Sequence, residues 1–297
     1  WDTPQTITIT GVDDDIIDGT VTSTITISVV DASSNDNFDS VADQTLSATT
    51  TDDDVAGFTI VESDGSTEVD ESGTTDTFTV VLDAEPNSDV VLTISSDDTG
   101  EATVTNALTF SSANWDTPQT ITITGADESI LDGNQDTTIT VTIDDANSDN
   151  NFDSVADQTI SATTTDDDVA GFTIVESDGS TEVAESGTTD TFTIVLDAQP
   201  SSNVVVAMSS SDTGEATLSG TITFTSANWD TPQTITVTGV DENIIDGNQS
   251  STVTITIVDS ISDNDFSGVA DQTVSATTTD DDVAGFTIVE SDGSTSV

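Results

Sequence analysis

Residues 115–125 read WDTPQTITITG. From Thr120 to Thr124 the chain alternates threonine with Ile121 and Ile123, a period of two that turns both isoleucines to one face. Pro118 before the alternation and Gly125 after it mark the ends of a half-buried β-strand. WDTPQTIT also stands at residues 1 and 229, FTIVESDGST at 58, 172 and 286, and TTTDDDVAGF at 49, 163 and 277. Every spacing is 114 residues, so the chain is one tandem repeat without insertion or deletion. Solenoid units repeat at about 20–50 residues, whereas this period suits a whole β-sandwich.

The boundaries follow from the period. Residues 1–54 read as the C-terminal part of a sandwich repeat, 55–168 and 169–282 as complete repeats, and 283–297 as the first strand of another. With Trp1 in place of an initiator methionine, the segment reads as a window on a longer array. Inside 55–168, strands are expected at 58–61, 77–82, 90–94, 102–105, 108–110, 120–124, 138–143 and 158–164. The alternation predicts antiparallel strands with one apolar and one threonine-rich face. Phe58, Phe78, Phe110, Trp115 and Phe152 are the expected core.

The composition needs something to make this fold work. The chain has 297 residues with 58 Asp plus Glu, no Lys, Arg, His or Cys, and a formal charge of −58. High charge with low hydrophobicity is the pattern of disorder. The kind of apolar residue points the other way: 55 Ile and Val stand against 7 Leu, beside 59 Thr, and β-branched residues favour a pleated surface. The fold class is therefore all-β, as tandem Ig-like antiparallel sandwiches, provided that cations neutralise the acids. Without imidazole or thiol there is no Ser-His-Asp triad, no disulfide and no nitrogen- or sulfur-ligated metal. Without a basic side chain, nucleic acid is not a partner. No apolar run reaches the roughly 18 residues of a membrane helix, so this segment does not insert into a membrane.

The acids cluster at recurring places. One run closes each repeat: Asp52, Asp53 and Asp54; Asp166, Asp167 and Asp168; Asp280, Asp281 and Asp282. A second follows the TITITG strand: Asp13, Asp14, Asp15 and Asp18; Asp127, Glu128 and Asp132; Asp241, Glu242 and Asp246. Glu71 and Glu185 sit in an ESG turn, and Asp98 and Asp212 in the loop before a GEAT strand. Adjacent carboxylates repel unless they face water, take up protons or share a cation. All-oxygen ligands favour Ca²⁺. A solvated acidic surface is the competing explanation, and no EF-hand DxDxDG loop is present.

DDDVAG at a repeat end, GVDDDIIDG after a strand, VDESGTTDTFTVVL near a repeat start and LTFSSANWDTPQTITITG between them resemble the Calx-β domain, in the form found in tandem arrays of large bacterial surface adhesins. The resemblance covers the whole chain. It implies a calcium-binding β-sandwich whose ligands come from the early Glu, a mid-domain Asp, the acidic loop between late strands and the terminal Asp run. Carried over, one site is Glu71, Asp98, Asp127, Glu128, Asp132, Asp166, Asp167 and Asp168. The next is Glu185, Asp212, Asp241, Glu242, Asp246, Asp280, Asp281 and Asp282. The partial repeat keeps Asp13, Asp14, Asp15, Asp18, Asp52, Asp53 and Asp54. Val21, Gln135 and Gln249 stand where many family members carry one further acid.

The expected function is a non-catalytic, calcium-stabilised structural repeat of an extracellular fibre, stalk or giant adhesin, secreted or at the cell surface. Calcium ions are the expected partner, with like chains in a fibre or bundle. A cell-adhesion module binding a ligand through its own surface is the alternative; the repeats differ mainly by Asp/Ser/Asn and Val/Ile exchanges, which gives no repeat a unique patch. An enzyme is not expected, because paired carboxylates alone, repeated without a cleft-forming insertion, make a poor catalytic site.

Overall fold

The computed structural model describes residues 2–105, 107–290 and 293. The chain forms two compact units, Trp1–Glu128 with Asn134–Thr165, and Ser129–Gly133 with Asp166–Val297. Among the described residues there is no α-helix, only strands and short 3₁₀ turns, and no helix long and apolar enough to cross a membrane.

In the first unit β1 (Val21–Ile27) pairs with β2 (Gln44–Thr50) as a two-stranded antiparallel sheet. Nine strands follow among the described residues: β3 (Phe58–Glu62), β4 (Thr67–Asp70), β5 (Thr75–Leu82), β6 (Val90–Ser96), β7 (Ala102–Val104), β8 (Ala107–Phe110), β9 (Gln119–Gly125), β10 (Gln135–Ile143) and β11 (Gln158–Thr165). They make one sheet of order β3-β5-β9-β7 and a second of order β4-β11-β10-β6-β8. The second unit has β12 (Phe172–Glu176), β13 (Thr181–Ala184), β14 (Thr189–Leu196), β15 (Val204–Ser210), β16 (Ala216–Leu218), β17 (Ile222–Phe224), β18 (Gln233–Gly239), β19 (Gln249–Ile257) and β20 (Gln272–Thr279). Its sheets run β12-β14-β18-β16 and β13-β20-β19-β15-β17.

The alternation in sequence becomes alternation in burial. In β19, Ser251, Val253, Ile255 and Ile257 point inward and the residues between them face outward or lie half-buried. The inner faces of both sheets contribute to a core of Phe192, Phe224, Phe266, Ile194, Ile235 and Ile255, each 0% exposed. The first unit repeats this with Phe78, Phe110, Phe152, Ile121 and Ile139. Trp115, expected inside, is only partly buried at the core margin, and so is its counterpart Trp229. Their carbonyls accept from the Leu82 and Leu196 N–H groups at 3.1 Å.

The sheets are antiparallel except at one edge. β4 runs parallel to β11 and β13 parallel to β20. Sequence patterning missed β4 and β13, whose TEVD and TEVA are short and whose pairing partners lie far along the chain. These edge strands matter most for function, because each ends beside the early glutamate.

Candidate metal centre

Backbone hydrogen bonds draw the acidic segments of the second unit to one end of the sandwich. β13 ends at Ala184, and the Glu185 N–H donates to the Thr279 carbonyl at 3.1 Å, one residue before Asp280. The Val240 N–H donates to the Glu215 carbonyl at 2.9 Å, which sets Glu215 beside the loop carrying Glu242. The Thr278 hydroxyl donates to the same carbonyl at 3.3 Å. β18 ends on Gly239 for a steric reason: a Cβ there would overlap the Ala184 backbone, so only glycine lets this strand pass the early turn. The Asp280 carboxylate closes the arrangement by accepting from the Gly247 N–H and the Asp282 N–H, both at 2.8 Å.

The result is two overlapping carboxylate cages. Glu185, Glu215, Glu242 and Asp246 each offer an oxygen within 4.8 Å of the others, and so do Glu185, Asp280 and Asp282. Glu185 belongs to both. It is 0% exposed, and Glu215 only 6%. Both Glu185 oxygens, Oε2 of Glu215, Oε1 of Glu242 and Oδ2 of Asp282 are buried and accept no hydrogen bond. Orphaned buried acceptors of this kind are costly, and anionic ones more so. Burial, then the charges of Asp280 and Glu215, raises the affinity of the Glu185 carboxyl for its proton above the ordinary Glu range. Burial raises Glu215 and Glu242 in the same way, with Asp246 the leading neighbour of each. Burial and then Asp280 raise Asp282.

No Lys, Arg or His exists in the chain to compensate these charges. A hard dication fits the donor set. Ca²⁺ takes about six to eight oxygens in flexible geometry, whereas Mg²⁺ demands an octahedron and tends to retain water. The cage is all-carboxylate, buried at Glu185 and Glu215, half-buried at Glu242, Asp280 and Asp282 and open to solvent at Asp246, a donor set that fits the flexible all-oxygen coordination of calcium. The orphaned oxygens of Glu185, Glu215, Glu242 and Asp282 are where such an ion would be held.

The first unit contains the same beginning of a site. Glu71, Glu101 and Glu128 bring oxygens within 4.8 Å of one another, with Glu71 and Glu101 buried. The Glu71 N–H donates to the Thr165 carbonyl and the Ala126 N–H to the Glu101 carbonyl, at 3.1 and 2.8 Å. Asp132, Asp166, Asp167 and Asp168 fall in the second unit, where Asp166 accepts from the Gly133 and Asp168 N–H groups at 2.7 and 2.8 Å.

Other sequence-expected ligands are placed differently. Asp98 and Asp212 are exposed, and each accepts from the N–H two residues on, Gly100 or Gly214, at 2.9 Å. That turn aims the next acid, Glu101 or Glu215, into the cage instead. Both glutamates were missed in the sequence, although they recur at the 114-residue spacing. Asp127, Asp167, Asp241 and Asp281 are exposed and lie outside the close groups. Asp241 and Asp281 still act at a distance by raising Asp282.

Residues of the partial repeat form a looser arrangement. Asp13, Asp14, Asp18, Asp52, Asp53 and Asp54 line an open hollow of about 340 Å³ with Gly11 and Gly19. Asp52 accepts from the Asp54 and Gly19 N–H groups at 2.9 and 2.6 Å, which holds its carboxyl below the ordinary Asp range. Burial, then Asp52 and Asp15, raises Asp54. Among the described residues no three of these acids converge as those around Glu185 do.

No protein-family profile and no curated protein matches the sequence. Among solved structures, the calcium binding domain CBD12 of CALX1.1 is similar over 67% of this chain and 80% of that one, at 15% identity and a TM-score of 0.28. The S-layer protein SbsC, domains 4 and 5, is similar over 75% and 97%, at 16% identity and a TM-score of 0.32. The apo-form Calx CBD1 domain is similar over 37% and 98%, at 13% identity and a TM-score of 0.28.

Proposed function

We propose that this chain is a calcium-stabilised, non-catalytic structural repeat of an extracellular fibre, stalk or adhesin. The observation that carries the reading is the Glu185 cage: buried carboxylates with orphaned oxygens, in a chain that has no cationic side chain. Calcium would supply the missing positive charge. Glu185, shared by both cages, would bridge the front of the sandwich to its closing Asp run. Glu215 and Glu242 would tie β16 and the acidic loop to the same point.

The energetic consequence is linkage. An ion that binds only the folded chain stabilises it by RT ln(1 + [L]/Kd), about 2.7 kcal/mol at a hundred times Kd. Extracellular calcium modules have Kd values on the order of 10⁻⁴–10⁻³ M. Such sites fill in the millimolar calcium outside a cell and stay empty at the submicromolar level inside, so the chain would become rigid after export. Near-identical repeats suit a spacer, where length matters more than any one surface.

The test is thermal unfolding of the 297-residue chain in millimolar calcium, in chelator and in magnesium. A large rise specific to calcium is expected. Equal melting in all three would mean that the clusters are solvated acid surface and that the reading is wrong.

A further inference from the structure

Acids of the late loop face the carboxylate cage, and an apolar pair beside them has no part in it. Each copy of the loop places two large apolar residues between acids: Ile16 and Ile17 in DDDIIDG, Ile130 and Leu131 in DESILDG, Ile244 and Ile245 in DENIIDG. Two adjacent large apolar side chains, recurring in every copy of a charged loop, point to a contact that covers them.

Two copies show that contact. In the first unit Ile16 forms a parallel bridge with Glu85, in the turn that follows β5, and the Glu85 N–H donates to the Asp15 carbonyl at 2.7 Å. Ile17 packs against the core of residues 58–162. Its carbonyl accepts from the Asn87 and Asn151 side-chain amides at 2.8 and 3.1 Å. In the second unit Ile130 bridges Gln199 in the equivalent turn after β14. There the Gln199 N–H donates to the Ser129 carbonyl at 2.6 Å and the Leu131 N–H to the Gln199 carbonyl at 3.2 Å. Leu131 packs against the second core. Residues 129–133 group with this later sandwich rather than with the residues that flank them in sequence.

The turn is built to receive a strand. Glu85 and Gln199 each precede a buried proline, Pro86 and Pro200. A residue before proline is held extended, so its N–H and C=O stand ready for a bridging partner. The loop adds one short strand to that edge and sinks one apolar side chain beside it.

The third copy has the same kind of apolar pair and, among the described residues, no such bridge. Ile244 is 59% exposed and Ile245 57%, while Ile16, Ile17, Ile130 and Leu131 are half-buried. We infer that the Ile244–Ile245 loop is a docking element whose partner is the Leu-Asp-Ala-x-Pro turn of a further 114-residue repeat. The loop would bridge the residue before that proline and seat Ile245 against the new core. This goes beyond calcium stabilisation, because it concerns the apolar pair and would hold even if the acids bound no ion.

The test extends the chain. Residues 1–282 are followed directly by a second copy of residues 169–282, whose first residues repeat the native VAGF junction. Amide hydrogen exchange is followed in millimolar calcium. In the 297-residue chain the Leu131 N–H should be protected and the Ile245 N–H should exchange freely. In the extended chain Ile245 should slow by at least about tenfold, and Ile245→Asp should remove protection from the appended copy's equivalent of Gln199. An Ile245 N–H that stays fast beside a folded appended copy overturns the inference, as does an appended copy that fails to fold behind the intact loop. Protection of Ile245 in a chain indifferent to calcium would sink the calcium reading alone.

Discussion

Residues 21–54 and 249–282 are equivalent stretches of the repeat, identical at 21 of 34 positions, and end up in opposite environments. Both form a hairpin in the same register: Ile25 faces Leu46 in one, Val253 faces Val274 in the other. Yet Phe38 is 58% exposed and its counterpart Phe266 0%; Leu46 is 51% exposed and Val274 4%. Strand pairing is thus a local property of this sequence, and burial is not. β19 and β20 lie between β13 and β15, which bring the rest of the core, whereas among the described residues β1 and β2 pair only with each other. The acids follow the same rule. Asp52, Asp53 and Asp54 match Asp280, Asp281 and Asp282 in sequence, but only the latter run meets a Glu185. An acidic run becomes a cage when a buried glutamate from the front of the repeat is driven against it.

The sharpest way to break this comparison is to remove the matched phenylalanines. Phe266→Ala should cost about 3–5 kcal/mol, the usual loss for a fully buried aromatic. Phe38→Ala should stay within about 0.5 kcal/mol, as an exposed position does. Urea unfolding of the two variants measures both. Equal losses would mean that residues 21–54 have a packed core of their own.

The next effect concerns the ion. Glu185→Gln should weaken calcium binding in the second unit on the order of tenfold or more, since even residues behind the ligands commonly cost that much. Asp54→Asn should leave that binding unchanged. A finer contrast lies within one site: Glu215→Gln should weaken calcium more than Asp212→Asn, because Glu215 enters the cage and Asp212 closes the turn before it. Calorimetric titration reads all four variants. The reverse order for Glu215 and Asp212 would restore the ligand set expected from sequence.

That last pair shows where sequence reading reached its limit. The alternation of Ile121 and Ile123, or of Ile139, Val141 and Ile143, depends only on neighbours along a strand, and these strands form where the pattern puts them. The edge strand Thr67–Asp70 is four residues long and half acidic, and it exists because β11, more than ninety residues on, offers it a parallel partner. Nothing within TEVD announces that. Glu71 was singled out in its recurring ESG turn and by the resemblance, and the fold buries it beside Glu101. Glu101 was not singled out, because Asp98 three residues earlier offers the same chemistry, and only the turn closed by the Gly100 N–H decides which of them points inward. Trp115 was placed inside with the phenylalanines, but it sits at the margin, with its carbonyl accepting from the Leu82 N–H.

The smallest predicted effect has a sign that separates the cage from ordinary carboxylates. Glu185, Glu215, Glu242 and Asp282 all hold protons more tightly in the fold than at ordinary values of 4.5 for Glu and 3.8 for Asp. Between those values and neutrality the folded chain therefore binds more protons than the unfolded chain, and stability falls as pH rises. In chelator, lowering the pH from about 7 to about 5 should raise the melting temperature. Asp190 and Asp263 behave oppositely. Asp190 is held below the ordinary value chiefly by the Glu182 N–H, and Asp263, despite its burial, by the Ser202 N–H. Their stabilisation is lost only as pH falls through their lowered values, so the apo chain should be most stable in mildly acid solution. With calcium bound the slope above that optimum should reverse, because protons then compete with the ion for the same oxygens. General charge repulsion in so acidic a chain would also ease at low pH, so the decisive comparison is Glu185→Gln in chelator. That variant should show a shallower rise on acidification than the parent chain. An unchanged slope would mean that the pH response belongs to the acid surface at large and that the Glu185 cage carries no strained charge.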